Sequence, residues 1–546
     1  MPAILILLAA VVRLGALAQQ RSLWIDEARL ALNIASRSFL QLIPPLDYDQ
    51  AAPPGFLWLE RLAVDVFGVS ETSLRLVPLL AGVATVALVL PLGRRVLGDR
   101  VALLGVLLCA LSPSLIGAST EAKQYGVEAL VTCLVVVALL QWLEEPSVGR
   151  RWARVLGIGV VGVWLAPSVV FALAAGLVAI LLISDLDWRV RLRASVQAVV
   201  CWGMSLAGAY VVVYGPASHS LYLSRYWSSA FLTPGREGVL LDAAIALRSV
   251  LWSPIFRDRF SDSNALGSVS LIVGVSLVLA LTLTLGARQV ARHSPAPAAA
   301  LVLLPPALML LASIAGIYPI SGRTALFFVP ILIIMLAAGI DEASRLAVRR
   351  PVAVSIVLTP ALLLLLVTVR EFFGSDPRED VRPLVALLQQ HRHPGEAVYI
   401  FAGALPAWAF YTTNWRSPDH ERLNFLRIIG SSGGPAFENA PNAFRGSSGE
   451  PEALVYRGPG GAEVYGYSSG LEATVFRFRK SRPDSGWSES EAGRIRVAAT
   501  PGVWLLFSHF HGPEGELLRA IEAIGGRSTF EDRRSSAALI HFTFVN

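Results

Sequence analysis

Acidic residues beside apolar segments are the first candidates for chemistry in this sequence. The segment Trp24-Ile25-Asp26-Glu27 opens a helical pattern, and the acidic segment Asp47-Tyr48-Asp49-Gln50 follows that pattern. A carboxylate at an apolar boundary has its pKa raised, so it can accept a proton near neutral pH. We therefore take Asp26 and Glu27 as catalytic candidates, with Asp26 as the general base. An aspartate at a helix start also commonly caps the helix, and the sequence leaves that alternative open.

Two cationic residues are suited to binding a phosphate group. Lys123 is one of only two lysines in the chain, and Arg323 follows Tyr318-Pro319 at the start of an apolar run. A guanidinium can hold two phosphate oxygens at once, and the amides of a helix start add positive potential. Arg323, Lys123 and Tyr318 are therefore candidates for phosphate binding. The alternatives are a snorkelling lysine paired with Glu121 and an ordinary interfacial arginine.

Further acidic and polar residues lie close to these groups in the sequence. If the helix of the next apolar run includes Glu121, then Glu121, Tyr125 and Glu128 share one of its faces. Charge at the edge of an apolar helix costs free energy and often marks function. The substrate-binding candidates are Asp49, Gln50, Glu121 and Tyr125.

The composition places these residues in a membrane protein. The chain has 546 residues, of which 54% are hydrophobic and 16% are charged, and its mean hydropathy is +0.57. Soluble proteins carry roughly 25% charged residues, so the composition excludes a disordered chain, a fibre, a nucleic-acid-binding module and an ordinary cytosolic enzyme. Apolar runs of roughly 18 residues, each long enough to cross a bilayer, recur up to residue 370. They predict about eleven transmembrane helices: 1–18, 73–93, 101–118, 123–143, 153–166, 168–184, 194–214, 265–286, 298–318, 323–341 and 351–370.

Arginine-rich loops between these spans predict the orientation of the chain. By the positive-inside rule the loops face the cytoplasm, and they contain Arg94, Arg95 and Arg100, then Arg150, Arg151 and Arg154, then Arg189, Arg191 and Arg193, then Arg288 and Arg292, and finally Arg345, Arg349 and Arg350. An inner N-terminus and an odd number of spans then place the C-terminus outside. The first span is expected to be a retained anchor, because no basic residue precedes it and Arg13 interrupts it. The long segments 19–72, 215–264 and 371–546 then all lie on the outer face.

Two domains are predicted from the point where the apolar runs stop. Residues 1–370 form the transmembrane domain with outer loops 19–72 and 215–264, and residues 371–546 form a soluble domain. Within the soluble domain, helices are predicted through 384–388, from 405 and over 513–524, and strands over 398–401, 503–507 and 537–545. This pattern is typical of a small α/β domain, to which we assign acceptor recognition or support.

The first outer loop is predicted to contain two amphipathic helices in the membrane interface. Apolar residues at spacings of three and four run from Ile25 to Phe39, beside a polar stripe that includes Asp26 and Asn33. Pro53-Pro54 begins a second helix that extends to Phe67. The later loop 215–264 is rich in aromatic residues, among them Tyr226 and Trp227, which suit sugar rings and lipid headgroups equally.

Five short segments, in order, resemble the GT-C membrane glycosyltransferases, in particular the bacterial branch related to protein O-mannosyltransferases and aminoarabinose transferases. The first two are Trp-x-Asp-Glu-Ala at 24–28 and Gln-x-x-Pro-Pro-Gly-Phe-Leu at 50–57. The other three open predicted spans, at 73–78, 121–125 and 318–323. The resemblance covers roughly residues 1–370 and depends on the order and placement of the segments, since no single motif is specific.

The resemblance implies a mainly α polytopic membrane helix bundle with a C-terminal soluble α/β domain, in the inner membrane of a bacterium. It also implies an inverting transfer of a sugar from a polyprenyl-phosphate donor to a hydroxyl of a glycan, lipid or protein acceptor on the outer face. Asp26 would then be the base, and Arg323 and Lys123 would stabilise the departing lipid phosphate. A divalent metal ion held by Asp26 or Asp49 is an optional cofactor, and membrane lipids but no nucleic acid are expected as partners.

Two other classes of protein remain open from the sequence. A lipid-linked sugar flippase or other transporter would concentrate polar groups near the middle of the membrane and often show internal repeats, whereas here the polar groups lie at helix ends. A non-enzymatic exported scaffold would leave the intramembrane acids Glu121 and Glu128 without a role.

Overall fold

The computed structural model divides into two compact units. The first comprises Met1–Gln19, Ala51–Ala63 and Thr72–Ser375, and the second comprises Gln20–Gln50, Val64–Glu71 and Asp376–Asn546. The residues that the structure describes are 1–48, 50–218, 221–232, 266–347, 362, 379–401, 403–413, 415–416, 455–457, 463–466, 472–476, 487–499, 501–508 and 514–544.

Helices dominate the described residues, and strands occur only near the C-terminus. The helices of the first half are α1 (Pro2–Ala18), α2 (Ile25–Ser36), α3 (Pro54–Phe67), α4 (Leu76–Leu97), α5 (Asp99–Ala110), α6 (Pro113–Ala118), α7 (Tyr125–Glu144), α8 (Gly149–Leu165), α9 (Val169–Val178), α10 (Trp188–Ala209), α11 (Gly215–Ser218) and α12 (Leu221–Trp227). They are followed by α13 (Leu266–His293), α14 (Ala296–Ile314), α15 (Val329–Ala347), α16 (Val381–His391), α17 (Leu405–Thr412), α18 (Trp487–Ala498) and α19 (Glu514–Ala523). The prediction of a mainly α membrane bundle with a C-terminal α/β part is confirmed.

Six helices of the described part are long and apolar enough to cross a membrane. They are Ser73–Leu97, Tyr125–Glu144, Trp188–Tyr214, Gly274–His293, Ala296–Ile314 and Leu326–Arg345. Two shorter apolar helices, Pro2–Ala18 and Val169–Ile183, match further predicted spans. The predicted number of about eleven stays a prediction, because the span 351–370 lies outside the described residues except for Leu362.

The predicted span 101–118 is broken into two helices, so the prediction of one continuous helix there is wrong. Pro113 is the first residue of α6, and its ring disfavours helical geometry at the preceding residue. Ser112 accordingly adopts an extended backbone with ψ of 116°. The helix α5 therefore ends at Ala110.

The break leaves carbonyl groups at the end of α5 without partners in a helix, and Arg13 of α1 donates hydrogen bonds to two of them. Its guanidinium donates hydrogen bonds of 3.2 Å to the carbonyl oxygens of both Cys109 and Ala110. Its Nε also donates to Ser119 Oγ at 3.1 Å, just before the loop that carries a candidate site residue. Because Arg13 is fully buried, it fixes α1, the end of α5 and the residue after α6 to one another.

Ion pairs gather several of the basic loops at one end of the first unit. Arg95 Nε lies 2.9 Å from a carboxylate oxygen of Glu144, the last residue of α7. Arg100 Nε and Arg345 Nη2 each lie 2.8 Å from a carboxylate oxygen of Asp341, near the end of α15. Since α7 and α15 both end here, both helices begin at the opposite end of the unit, as the alternation of basic loops predicts.

The second unit contains a sheet whose strands are ordered β2-β3-β4-β1-β5-β7-β6 in the described residues. The strands are β1 (Ala397–Phe401), β2 (Val455–Arg457), β3 (Glu463–Gly466), β4 (Glu472–Phe476), β5 (Val503–Ser508), β6 (Gly526–Arg534) and β7 (Ala537–Phe544). Neighbours β4, β1 and β5 are parallel, and the other pairs are antiparallel. The predicted strands β1, β5 and β7 and the predicted helices α16, α17 and α19 are confirmed.

The helix α2 belongs to this second unit and packs against α17. Its predicted apolar stripe exists, but protein surrounds most of the helix, and the polar Glu27 and Asn33 are buried together with the apolar residues. A purely interfacial helix with its polar face in water is therefore not what the structure contains. The reason is α17, which supplies an apolar partner that the local sequence of the first outer loop does not reveal.

Candidate functional site

Asp26 lies in the first turn of α2, where the helix N-terminus stabilises a negative charge. Trp24 occupies the N-cap position, so Asp26 is the second helical residue and not the cap. Glu27, at the third position, accepts a 3.5 Å hydrogen bond from the Trp24 amide and is only 1% exposed. This contact is half of a capping box, and it gives Glu27 a structural role at the start of α2, whereas Asp26 is half-buried.

The acidic segment after α2 is fixed to the polar stripe of that helix. The Asp47 amide donates to Asn33 Oδ1 at 2.9 Å, and Asn33 Nδ2 donates to the Asp47 carbonyl at 3.2 Å. Arg37 Nη2 lies 2.8 Å from a carboxylate oxygen of Asp47. Burial raises the pKa of Asp47, and the positive charge of Arg37 acts against that shift. Because Asn33 comes seven residues after Asp26, this segment is attached to the face of α2 that carries Asp26.

Gln50 continues this segment. Its amide donates to the Asp47 carbonyl at 3.4 Å, and its Nε2 donates to the Tyr48 carbonyl at 3.3 Å. Tyr48 has a φ of 62°, a left-handed conformation that is uncommon for residues other than glycine and that turns the chain sharply here. Asp49 lies outside the described residues.

Lys123 and Glu121 lie in the loop 120–124 of the first unit, between α6 and α7. The Lys123 amide donates to the Glu121 carbonyl at 2.7 Å, and the Lys123 side chain is buried. This tight turn prevents α7 from starting before Tyr125. The predicted helical face shared by Glu121 with Tyr125 and Glu128 is therefore wrong for Glu121, whereas Tyr125 and Glu128 do lie one turn apart on α7.

Tyr318 lies beside the start of α7. Its hydroxyl donates to the Thr324 carbonyl at 2.9 Å, and its ring meets that of Phe171 edge-on at 5.0 Å. Burial raises the pKa of Tyr318 well above its ordinary value, and the nearby Glu128 and Tyr125 raise it further. Glu128 in turn accepts a 2.7 Å hydrogen bond from Ser168 Oγ. Tyr318 therefore lies near enough to Tyr125 and Glu128 to be affected by their charges.

Arg323 lies in the turn before Leu326–Phe328 and contacts two aromatic side chains. Its Nη2 donates a hydrogen bond to the Tyr226 hydroxyl. Its guanidinium carbon lies 5.9 Å from the centre of the Tyr226 ring and 5.7 Å from that of Trp227, within cation–π range. This arrangement joins a group that can bind phosphate to two rings that can stack on a sugar.

The described loop around Arg323 is attached to the segment that carries these rings. The Ile320 amide donates to the Ala230 carbonyl at 2.7 Å, and the Leu232 amide donates to Ser313 Oγ at 3.1 Å. Both Arg323 and Lys123 lie at the end of the first unit where α7 and α15 begin. The three phosphate-binding candidates are therefore gathered at one end of that unit, opposite the basic loops.

No group of three or more His, Cys, Asp or Glu side chains in the described part of the chain is arranged to hold a metal ion. Asp49, one of the two predicted metal ligands, lies outside the described residues. A metal ion held by Asp26 or Asp49 therefore stays a prediction.

Sequence reasoning did not find several residues that hold these groups. Glu379 accepts a hydrogen bond from the Ile25 amide, and Tyr411 accepts one from the Leu23 amide. Both residues come more than 350 positions after their partners, so no local pattern links them. Ser168 was not linked to Glu128 for a similar reason. Pro167 marks a helix break, and the hydroxyl of Ser168 directly after it could have been identified from the sequence as a possible partner for the buried Glu128.

Comparisons with known proteins agree with this fold. A family model for dolichyl-phosphate-mannose-protein mannosyltransferase matches residues 51–214. The structure of ArnT from Cupriavidus metallidurans bound to undecaprenyl phosphate is similar, with 14% sequence identity, a TM-score of 0.54 and coverage of 99% of this chain and 97% of that chain. No match was found among curated protein sequences.

The apo oligosaccharyltransferase of Archaeoglobus fulgidus is also similar, with 14% identity and a TM-score of 0.48. The alignment covers 75% of this chain and 64% of that protein, so the chain spans less than two thirds of its length. The ArnT likeness establishes the fold, and the resemblance to GT-C membrane glycosyltransferases is confirmed.

Proposed function

We propose that this chain is an inverting glycosyltransferase that moves a sugar from a polyprenyl-phosphate donor to a hydroxyl group on the outer face of a bacterial inner membrane. The observation that carries the proposal is the contact of Arg323 with Tyr226 and Trp227, in a fold like that of ArnT. ArnT was solved with undecaprenyl phosphate, which is the class of lipid that we propose here. The acceptor is a glycan, a lipid or a protein.

The phosphate of the donor is assigned to Arg323, Lys123 and Tyr318. The negative charge on this phosphate grows as the sugar leaves, so fixed positive groups stabilise the transition state more than the ground state. The hydroxyl of Tyr318 keeps its proton at neutral pH, as a tyrosine ordinarily does, and it can therefore act as a hydrogen-bond donor or acceptor. The rings of Tyr226 and Trp227 would stack on the sugar or on the first lipid units.

Asp26 is assigned the role of general base. It takes the proton from the acceptor hydroxyl, and that oxygen forms a new bond to the anomeric carbon from the face opposite the phosphate. The bond between the anomeric carbon and the phosphate oxygen breaks, and the polyprenyl phosphate leaves with the electron pair. The anomeric configuration is therefore inverted. Asp49, Gln50, Glu121 and Tyr125 are assigned to substrate binding.

The orientation belongs to the same proposal. Nucleotide sugars are cytoplasmic, so a donor used on the outer face must be carried by a lipid. The ion pairs of Arg95, Arg100 and Arg345 gather basic loops at one end of the first unit, which supports a cytoplasmic position for that end. Lys123 and Arg323 would then face outward, together with the soluble domain that we propose for residues 371–546.

The test is transfer by the purified protein in proteoliposomes. Each of a panel of radiolabelled polyprenyl-phosphate sugars is supplied with a lipid A, glycan or peptide acceptor, and both products are measured. We expect label on an acceptor and release of one polyprenyl phosphate per sugar transferred. Movement of the intact donor across the bilayer without any transfer would contradict the proposal and support the flippase alternative.

A further inference from the structure

The chain that leads into α2 is held by five hydrogen bonds with four residues from the C-terminal part of the second unit. The Ile25 amide donates to Glu379 Oε2 at 2.8 Å, and the Leu23 amide donates to the Tyr411 hydroxyl at 2.7 Å. Ser22 Oγ donates to an Asp380 oxygen at 2.7 Å and accepts from the Arg382 amide at 3.2 Å; in addition, Arg382 Nη2 donates to the Gln20 carbonyl at 2.7 Å. We call the four residues Glu379, Asp380, Arg382 and Tyr411 the clamp.

Glu379 supplies what the start of α2 needs. The first amides of a helix have no partner within the helix, and a carboxylate is the strongest acceptor available to them. Trp24 occupies the N-cap but has no side-chain oxygen to accept a hydrogen bond. Glu379 is 3% exposed and serves the amide of Ile25, the residue directly before Asp26. A carboxylate from a distant part of the chain therefore fixes the first turn of the helix that carries the proposed base.

The clamp is itself fixed to rigid structure. Ser508 Oγ, at the end of β5, donates to Glu379 Oε2 at 3.2 Å. Glu71 accepts hydrogen bonds from both Arg382 and Tyr411, so the two clamp residues share one half-buried carboxylate. Asp380 also pairs with Arg534 Nη1 of β6 at 3.3 Å. The clamp thus extends from the sheet to the helix start.

The backbone held by the clamp includes a strained residue. Gln20 has a φ of 44°, a left-handed conformation that is unfavourable for a residue with a side chain. Such a conformation persists only where its surroundings hold it. Arg382 supplies one such restraint through the Gln20 carbonyl.

We propose that Glu379 and Tyr411 are positioning residues for Asp26: the C-terminal part of the second unit holds the base-bearing turn in its reactive geometry. This inference depends on the proposed function, since it assigns a role in that reaction. Misplacement of a reacting group by about 1 Å can cost on the order of 100-fold in rate. Loosening this turn should therefore lower kcat. Donor binding should be retained, because the donor-phosphate candidates belong to the first unit.

The experiment compares four variants of the full-length protein in proteoliposomes. Glu379→Ala removes the acceptor for the Ile25 amide, whereas Glu379→Gln keeps an oxygen in a nearly identical side chain. Tyr411→Phe removes only the hydroxyl that serves Leu23. Glu396→Ala is the matched control, because the buried Glu396 carboxylate also accepts from a backbone amide, that of His393 at 2.8 Å, but not one of α2.

Two quantities are measured per mole of folded protein: steady-state kcat with donor KM, and deuterium uptake by the peptide that spans residues 20–36. For Glu379→Ala we expect roughly a 10- to 100-fold lower kcat, a donor KM that is changed by less than about 3-fold, and faster uptake by that peptide. Glu379→Gln should recover most of the rate, and Tyr411→Phe should lie between the two. Glu396→Ala should keep both the rate and the slow uptake.

Several outcomes would overturn the inference. Full kcat in Glu379→Ala with faster uptake would mean that the clamp stabilises the turn without affecting the reaction. An equal loss in Glu396→Ala would mean that general destabilisation explains the effect. If Asp26→Asn abolishes transfer while Glu379→Ala retains it, the positioning role fails and the proposed function stands. If the wild-type protein transfers no sugar, the function fails and the positioning role fails with it.

Discussion

Substitution of Arg13 tests how the first unit fixes the loop that carries Lys123. The side chain makes three hydrogen bonds outside its own helix, to the carbonyl groups of Cys109 and Ala110 and to Ser119 Oγ. A lysine ammonium keeps the charge but has a single nitrogen, which can take the place of only one of the three guanidinium nitrogens, and each of these three donates to a different acceptor. Arg13→Lys therefore loses at least two of these bonds.

The expected loss follows from this count. Hydrogen bonds between membrane helices contribute about 0.6 kcal/mol on average and at most about 1.7 kcal/mol, so two of them give about 1 to 3 kcal/mol in the free energy of unfolding. The assay is unfolding in mixed micelles with a rising mole fraction of SDS, followed by tryptophan fluorescence. Arg94→Lys is the control, because Arg94 pairs with Asp99 at an exposed site where such pairs contribute about 0 to 1 kcal/mol.

The result that would refute this reasoning is an unfolding midpoint for Arg13→Lys that equals that of Arg94→Lys. It would mean that the carbonyl groups at the end of α5 find other partners and that Arg13 does not stabilise the break. Arg13→Lys should also weaken donor binding, because Ser119 directly precedes the loop that carries Lys123.

Three further predictions concern the donor site, the second unit and the orientation. Arg323→Lys should lower kcat/KM by roughly 10- to 100-fold, because losing one charge-assisted hydrogen bond costs about 1.5 to 3 kcal/mol; an unchanged value would remove Arg323 from the phosphate role. Burial lowers the pKa of His541, and although burial raises the pKa of Glu396, hydrogen bonds from Trp504 and the His393 amide bring it below its ordinary value. Both groups thus bind protons more weakly in the folded state than in the unfolded state. The urea midpoint of the second unit should therefore fall as the pH drops below about 6.5, where His541 of the unfolded chain takes up a proton, and again below about 4.5, where Glu396 does. A midpoint that does not change with pH would contradict this. A reporter that works only in the cytoplasm should stay silent when fused to the C-terminus, and its activity there would reverse the orientation.

The parts of the fold that periodicity governs could be predicted from the sequence. The helix α2 begins at Ile25 as expected, the double proline begins α3, and apolar runs mark β1, β5 and β7. The strand β6 was not predicted, because Gly526–Arg534 is mostly exposed and lacks an apolar alternation.

The candidate site was predictable in its residue types but not in its contacts. The acids and cations were found because charge is rare in an apolar chain. Their partners could not be found, because Glu379 and Ile25 are 354 positions apart and no local pattern links them. The position of Glu121 outside α7 was missed because a tight turn such as that of Lys123 leaves the apolar periodicity of the following helix unchanged.

The measurement that tests the account most directly is single-turnover sugar transfer by Asp26→Asn and Glu27→Gln in the same membranes. An amide cannot take up the proton of the acceptor, so we expect Asp26→Asn to remain folded and to bind donor but to transfer roughly 100- to 10,000-fold more slowly. Glu27→Gln keeps the oxygen that accepts from the Trp24 amide, and we expect a much smaller loss. Transfer by Asp26→Asn at nearly the wild-type rate would contradict the assignment of the base and direct attention to Asp49.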